Sequence, residues 1–119
     1  MVERDRLDVL HDLVALSQPV DELHGELSRF EWDSGRELVV LQREHVTSVL
    51  KRFLIGSLRR ANVEAWANAI EGRDDIGHDE PDAEYLRQIV FALANPELEG
   101  ALTMARAKAL LKDLDEDAS

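Results

Sequence analysis

Hydrophobic and polar positions follow each other with the spacing of amphipathic helices along most of the chain. In the clearest case, apolar side chains recur three, four, seven and eight positions apart, which places them on one face of a helix. Four further segments show helical spacing. The apolar positions of the five predicted helices are Leu7, Leu10, Leu13 and Val14; Val46, Val49, Leu50, Phe53 and Leu54; Val63, Trp66, Ala67 and Ile70; Leu86, Ile89, Val90 and Leu93; and Ala107, Leu110, Leu111 and Leu114.

Residues that favour turns or helix ends separate these segments. Proline cannot continue a preceding helix, glycine accepts the backbone conformation of many helix ends, and aspartate or threonine can cap a helix start. A further short helix is expected to begin at Asp21 and to carry Leu23, Leu27 and Phe30 on one face. The other expected helix boundaries are Gln18-Pro19, Gly56-Ser57, Pro81, Asn95-Pro96 and Thr103.

The whole pattern predicts an all-α fold, a single-domain bundle of five or six short amphipathic helices over residues 1–119. The length of 119 residues suits one hydrophobic core. Residues Leu38 to Leu41 are all apolar and form either a short extended segment or the first turn of the next helix; we favour the extended form. Residues after about Leu114 are expected to fray, because acidic side chains there oppose the dipole of a helix C-terminus.

Charge divides the middle of the chain into two segments of opposite sign. Seven of the fourteen residues from Glu71 to Glu84, here called the acidic segment, are acidic, and Arg73 is the only basic one. Residues Arg43 to Arg60, the basic segment, contain five Lys or Arg and one acid. The chain as a whole has a net charge of −11. Such a field attracts a basic protein surface and repels phosphate backbones and anionic lipids. We therefore expect a basic protein partner, and neither nucleic acid nor membrane.

Cysteine content and the N-terminal sequence bear on the compartment. The absence of cysteine excludes disulfides and thiolate chemistry and suits a reducing compartment. The first five residues lack the basic and apolar regions of a signal peptide, and no apolar stretch approaches the roughly 18 residues that span a bilayer. We expect a soluble, cytoplasmic protein.

No motif for catalysis or cofactor binding is found. The four histidines lie in separate predicted elements, and none stands four residues from another, as a helical metal pair requires. His78 lies among carboxylates whose spacing does not match a calcium loop, so we interpret it as a solvated loop histidine. We expect no enzyme, no metal and no cofactor. An enzyme that uses His78 would require a buried pocket around that side chain.

Acidic side chains and one tryptophan are the candidate contacts with a basic partner. Trp66 shares the apolar face of its helix and is expected in the core, whereas Trp32 either covers the core edge or contacts a partner. The cationic side chains from Lys51 to Arg60 either balance the acidic segment or bind phosphate, and we favour the first; these are Lys51, Arg52, Arg59 and Arg60. The predicted partner-binding residues are Trp32, Asp74, Asp75, Asp79, Glu80 and Asp82.

Self-association is the alternative function. A structural or regulatory helical module would form a homodimer through apolar residues near Trp32 and Leu38 to Leu41. The acidic segment would then serve only solubility. A dimer of this kind would be largely indifferent to salt, because apolar burial depends little on ionic strength whereas exposed charges are screened.

The run Phe53-Leu54-Ile55-Gly56-Ser57-Leu58, followed by Val63-Glu64-Ala65-Trp66 and a charged loop, resembles the helix–turn–helix segment of colicin-D-type bacterial immunity proteins. The resemblance covers about a quarter of the chain. It implies a small acidic helical bundle that blocks the basic active site of a transfer-RNA-cleaving toxin, with acidic side chains in place of the RNA phosphates. Arg59 and Arg60 depart from the family pattern, in which this turn is more often polar or acidic, and no toxin-contacting residue is transferred individually.

Overall fold

Seven helices and two short strands form the part of the chain that the computed structural model describes, residues 6–27, 39–71, 73, 76–79 and 82–117. The predicted helical fold is confirmed, and the favoured extended segment is confirmed as the first strand. In chain order the elements are α1 (Arg6–Ala15), α2 (Val20–Leu27), β1 (Val39–Leu41), α3 (Arg43–Leu54), α4 (Arg60–Ile70), β2 (Ile76–His78), α5 (Ala83–Ala94), α6 (Pro96–Glu99) and α7 (Met104–Asp117).

The helices pack their apolar faces around one core. Every predicted core residue of α4 and α5 is buried, and the Trp66 side chain is fully inaccessible, as predicted. In α1 the buried face includes Val9 and leaves Leu7 42% exposed. The closest packing is between α4 and α5 and between α3 and α7, while α1 and α2 contact α4. Most of the basic segment forms α3, which packs against α7. The acidic segment ends in the first turn of α5, whose apolar face is part of the core.

The two strands form a parallel sheet, and the hydrophobic pattern predicted only one of them. Parallel strands need a long connection, which α3 and α4 provide here. Because β2 lies inside the acidic segment, the sheet ties that segment to the core. The register pairs are Val39 with Ile76, Val40 with Gly77, and Leu41 with His78.

Several helix boundaries use the expected capping residues. Gly56 follows α3 with a φ of +87°; its N–H donates to the Phe53 carbonyl, and the Ser57 N–H donates to the Arg52 carbonyl. These two bonds form a Schellman motif, in which glycine is favoured because the backbone is left-handed. At the start of α7, the Thr103 hydroxyl accepts a backbone N–H at 3.1 Å, which confirms the predicted cap.

Asn95-Pro96 ends α5 as predicted, and Pro96 also begins the short helix α6, where its missing N–H would have no helical partner. Two boundaries differ from the prediction. α2 begins at Val20, so Asp21 lies in its first turn and does not cap it. α7 continues to Asp117, while fraying beyond Leu114 stays a prediction. Predicted features that lie outside the described residues are Phe30, Leu38 and Pro81.

Candidate functional site

Strand β2 holds part of the acidic segment against the core. Ile76 and Gly77 are buried, and the Asp79 N–H donates to the Leu41 carbonyl at 3.0 Å, which extends the strand pairing by one residue. The Asp79 side chain is exposed. Because backbone hydrogen bonds fix its position, Asp79 presents a carboxylate to solvent without the ordering cost that a free loop would carry on binding.

The carboxylate of Asp82 is bound within the molecule. Arg43 Nε donates to Asp82 Oδ2 at 2.8 Å and Arg43 Nη2 donates to Oδ1 at 2.6 Å, so the guanidinium and the carboxylate share two parallel bonds. The hydrogen bonds from Arg43 lower the pKa of Asp82, although partial desolvation opposes them. The side chains of Arg43 and Asp82 are 16% and 26% exposed, so this pair lies at a partly buried junction.

Arg43 connects three helices through this junction. It is the first residue of α3 and binds Asp82, which directly precedes α5. Its Nη1 donates to the Leu114 carbonyl of α7 at 2.7 Å. The guanidinium carbon lies 5.9 Å from the centre of the Tyr85 ring, within the range of a cation–π contact. Arg43 therefore neutralises one carboxylate of the acidic segment and also fixes how α3, α5 and α7 meet.

The predicted partner-binding residues fall into three groups. Asp79 is exposed and held by its backbone bond to β1. Asp82 is held by Arg43, so we assign it a structural role and remove it from the partner-binding surface. The predicted residues that lie outside the described residues are Trp32, Asp74, Asp75 and Glu80.

Two further carboxylates lie at the ends of the acidic segment. Glu71 and Glu84, at its two ends, are both exposed. Glu71 Oε2 accepts a hydrogen bond from Asn95 Nδ2 at 3.3 Å, which leaves its negative charge in place because the amide is neutral. Glu84 lies in the first turn of α5, where the helix dipole favours a negative side chain.

Arg52 of the basic segment is held at the end of α1. Its Nη1 and Nη2 donate to the Ala15 and Leu16 carbonyls at 3.1 and 2.8 Å. These carbonyls are neutral and leave the positive charge of Arg52 in place, so its role in balancing the acidic segment stays a prediction. Among the described residues, Arg43 forms an ion pair with Asp82 of the acidic segment. The other cationic side chains named at the sequence level are exposed; they are Lys51, Arg59 and Arg60.

Two histidines differ from the sequence interpretation. His78 is half-buried in β2 and has a partner, so its prediction as a solvated loop residue is wrong; a three-residue strand among acids leaves no periodic signal.

The sequence analysis did not identify the role of His45. Its Nδ1 accepts the Gln42 N–H at 2.9 Å and caps the start of α3. Burial lowers the pKa of His45, Glu44 opposes that change and His11 adds to it. His45 stands three residues after the N-cap residue Gln42, which is the spacing of a capping box. This spacing is the sequence signal that could have indicated the role of His45.

The apolar segment proposed for a homodimer offers little exposed surface. Val39 and Leu41 are buried in the core, and Val40 is 41% exposed. A specific interface buries roughly 800 Å² on each partner, far more than one half-exposed valine supplies. Trp32 and Leu38, which complete the proposed patch, lie outside the described residues.

Within the described ranges, no group of three or more His, Asp or Glu side chains is placed to hold a metal ion. None of the helices there has the length and apolar character needed to cross a membrane. The chain matches no protein-family model, no curated protein and no solved structure. Its function therefore has to be inferred from the chemistry of the site.

Proposed function

We propose that this protein is an acidic binding protein of the cytoplasm that neutralises a basic protein partner, as an immunity-type inhibitor does with a nuclease toxin. The acidic segment would supply the contact surface. Its carboxylates would occupy the positions that RNA phosphates take in the active site of such a partner. The observation that carries the proposal is the exposed Asp79 carboxylate, which a backbone bond at 3.0 Å to Leu41 holds at the end of the sheet.

The charge of the whole chain supports the same partner class. A net charge of −11 on a molecule with a radius of gyration of 14.1 Å attracts a cationic surface before contact. Electrostatic attraction of this kind raises association rates and weakens as salt increases. Fast, salt-sensitive association is therefore expected.

The junction of Arg43 and Asp82 would contribute indirectly. It fixes the end of the acidic segment where α5 begins, while the pairing of β1 and β2 fixes the middle. A segment anchored at both places loses less conformational entropy on binding than a free loop. Asp82 would thus position the contact surface without touching the partner.

Two variants with the same charge change test the proposal. Asp74→Asn/Asp75→Asn/Asp79→Asn removes three charges from the acidic segment. Asp21→Asn/Glu22→Gln/Asp113→Asn removes three exposed charges from α2 and α7. Each protein is immobilised and exposed to a lysate of the source cells, and the captured proteins are quantified by mass spectrometry. RNA cleavage by a captured partner is then measured with and without the soluble wild-type protein.

The expected result is a basic protein captured by the wild type and by the α2/α7 variant, and reduced roughly tenfold with the acidic-segment variant. Stoichiometric inhibition of its RNA cleavage would support the inhibitor role. Equal capture by both triple variants would remove the acidic segment from the proposal. A dimer that light scattering shows to be indifferent to salt, without such a partner, would favour self-association instead.

A further inference from the structure

The structure contains an open groove of about 840 Å³ between α3 and α7, and its lining includes Arg43 but no residue of the acidic segment. We propose that this groove binds a small organic anion that carries an apolar body, such as an alkyl phosphate or a medium-chain carboxylate. The proposal is independent of the partner-binding role, because it uses a different surface of opposite charge. Grooves of this size are within the range that holds small ligands in proteins.

Positive side chains line the groove although the chain is strongly acidic. Four cations and one carboxylate face it: Arg43, Lys51, Arg52 and Lys112, with Glu44. On α3 the polar lining recurs at helical spacing, which places these side chains on one face and adds the hydroxyls of Thr47 and Ser48. An anionic group in the groove would thus meet ammonium and hydroxyl donors together.

The lysines, rather than the arginines, are the expected direct contacts with an anion, because the arginine N–H groups already bind other acceptors. Arg43 is bound to Asp82 and the Leu114 carbonyl, and Arg52 to two carbonyls of the α1 end. Lys51 and Lys112 are exposed, and neither forms an ion pair in the described part of the chain. Their flexible side chains can close on an anion that enters between α3 and α7.

Apolar surface determines which anion fits. Leu111 is half-buried on the α7 side of the groove, and Leu114, which is only 2% exposed, lies beneath the surface, so Leu111 supplies the aliphatic wall beside the cations. Inorganic phosphate would leave this wall in contact with water. An alkyl chain would cover it, with a gain of about 25 cal/mol for each Å² of apolar surface removed from water. The groove therefore fits an anion attached to an apolar body.

The charge of the rest of the molecule limits the size of the ligand. Electrostatic interactions between exposed charges fall off over about 8 Å at physiological ionic strength. Within the groove, a small anion is close to Lys51 and Lys112, while much of the acidic surface is screened in a molecule with extents of 42 × 30 × 27 Å. A polyanion would extend beyond the groove and meet that acidic surface directly. Nucleic acids and acidic proteins are thus disfavoured.

The lysine content provides a matched control. The chain has three lysines; Lys51 and Lys112 line the groove, and Lys108 is exposed on α7 without lining it. Calorimetric titrations of the wild type use decyl phosphate and decanoate below their micelle concentrations. Two control ligands are inorganic phosphate, which lacks the alkyl chain, and decanol, which lacks the anionic head group. The same titrations are repeated with Lys51→Gln/Lys112→Gln and with Lys108→Gln.

We expect decyl phosphate, decanoate or both to bind the wild type. The amphiphile that binds shows which anionic head group the groove accepts. The double variant should weaken this binding about tenfold or more, since two charge-assisted contacts are lost, while Lys108→Gln stays within about twofold. Absence of binding by both amphiphiles would overturn the proposal. So would equal loss in Lys108→Gln, or binding of inorganic phosphate or decanol as tight as that of the amphiphiles. Capture of the basic partner should not be reduced by these variants, because each makes the chain more negative.

Discussion

At the scale of single residues, the end of α1 depends on polar side chains from distant parts of the chain. Leu16 follows the helix with a φ of +48°, a left-handed conformation that costs a residue with a Cβ roughly 1 kcal/mol. Arg52 donates to the carbonyls of Ala15 and Leu16, and Trp66 Nε1 donates to the Leu13 carbonyl at 2.9 Å. The Leu13 carbonyl also accepts the Leu16 N–H, whereas the Ala15 and Leu16 carbonyls accept the Arg52 donors; together these bonds offset the backbone cost. A count of charges along the sequence treats Arg52 as a surface cation and cannot show this contact.

His45 should make the stability of the fold depend on pH. Its pKa lies below the ordinary value of 6.5, mainly because burial disfavours the imidazolium. The unfolded chain therefore takes up this proton at higher pH than the folded chain, so the stabilising contribution is complete above about pH 6.5 and is lost as the pH falls below it. We expect the free energy of unfolding, measured in urea, to decrease from pH 7.5 to pH 5.5.

His45→Gln is the informative variant, since a glutamine oxygen can still accept the Gln42 N–H but does not titrate. Most of the decrease between pH 7.5 and 5.5 should disappear. His11→Gln serves as the control: it removes only the charge of an exposed neighbour and should keep most of the decrease. An unchanged pH dependence in His45→Gln would show that other groups are responsible.

At the scale of the helices, two glycines provide opposite predictions. A Cβ added at Gly25 or at Gly56 meets no atom within 4 Å, so the effect of alanine is set by the backbone alone. Gly25→Ala, inside α2, should stabilise by about 0.5–1 kcal/mol because alanine favours a helix. Gly56→Ala should destabilise by about 1–2 kcal/mol because its φ is +87°. Urea denaturation measures both values, and effects of the same sign would contradict this account of the helix ends.

Local patterns predict some elements of this fold and cannot predict others. The core face of α4 was predicted residue by residue, because Val63, Trp66 and Ile70 recur at helical spacing within one segment. β2 is only three residues long and lies among acids, and its pairing depends on contact with β1, which is distant in sequence. The bond between Arg43 and Asp82 could not be predicted either, because these residues are also distant in sequence. Local chemistry is visible in a sequence, whereas contacts between distant segments follow from packing.

The junction of α3, α5 and α7 should depend on Arg43 more than on any single carboxylate it binds. Arg43→Gln removes the donor to the Leu114 carbonyl as well as the partner of Asp82, and each lost hydrogen bond to a charged group costs about 1.5–3 kcal/mol. Arg87→Gln, an exposed arginine of α5, should stay within about 0.5 kcal/mol of wild type. Urea denaturation provides both values.

Asp82→Asn completes a double-mutant cycle for the same junction. Once Arg43 is replaced, the further change of Asp82 should have much less effect than it has in the wild type, because the two side chains bind each other. Additive effects in the cycle would mean that the two-bond contact contributes nothing to stability, and that Arg43 acts through its other contacts, such as those with Leu114 and Tyr85.

At the scale of the whole molecule, the sequence predicted the separation of charge but not how each charge is used. Asp79 is exposed as expected, while Asp82 of the same segment is bound by Arg43. In the sequence both residues are aspartates in the same polar segment. Only Asp82 is bound, because the fold places Arg43 at the start of α3 beside the start of α5. Likewise, Lys51 and Lys112 are distant in sequence, and only the packing of α3 against α7 places them in one groove.

Salt should stabilise the fold while it weakens binding to a basic partner. At 0.01 M salt the screening length is about 30 Å, which exceeds the 14.1 Å radius of gyration, so the negative charges repel one another across the molecule. At 0.15 M it is about 8 Å, and this repulsion is largely removed. We expect the Tm in NaCl at pH 7.5 to rise by about 2–5 °C over this range. The rise should be smaller in Asp21→Asn/Glu22→Gln/Asp113→Asn, which has three fewer negative charges. A fall in Tm with salt would mean that attractive pairs such as Arg43 with Asp82 outweigh the net repulsion, and would weaken the case for an unneutralised acidic surface.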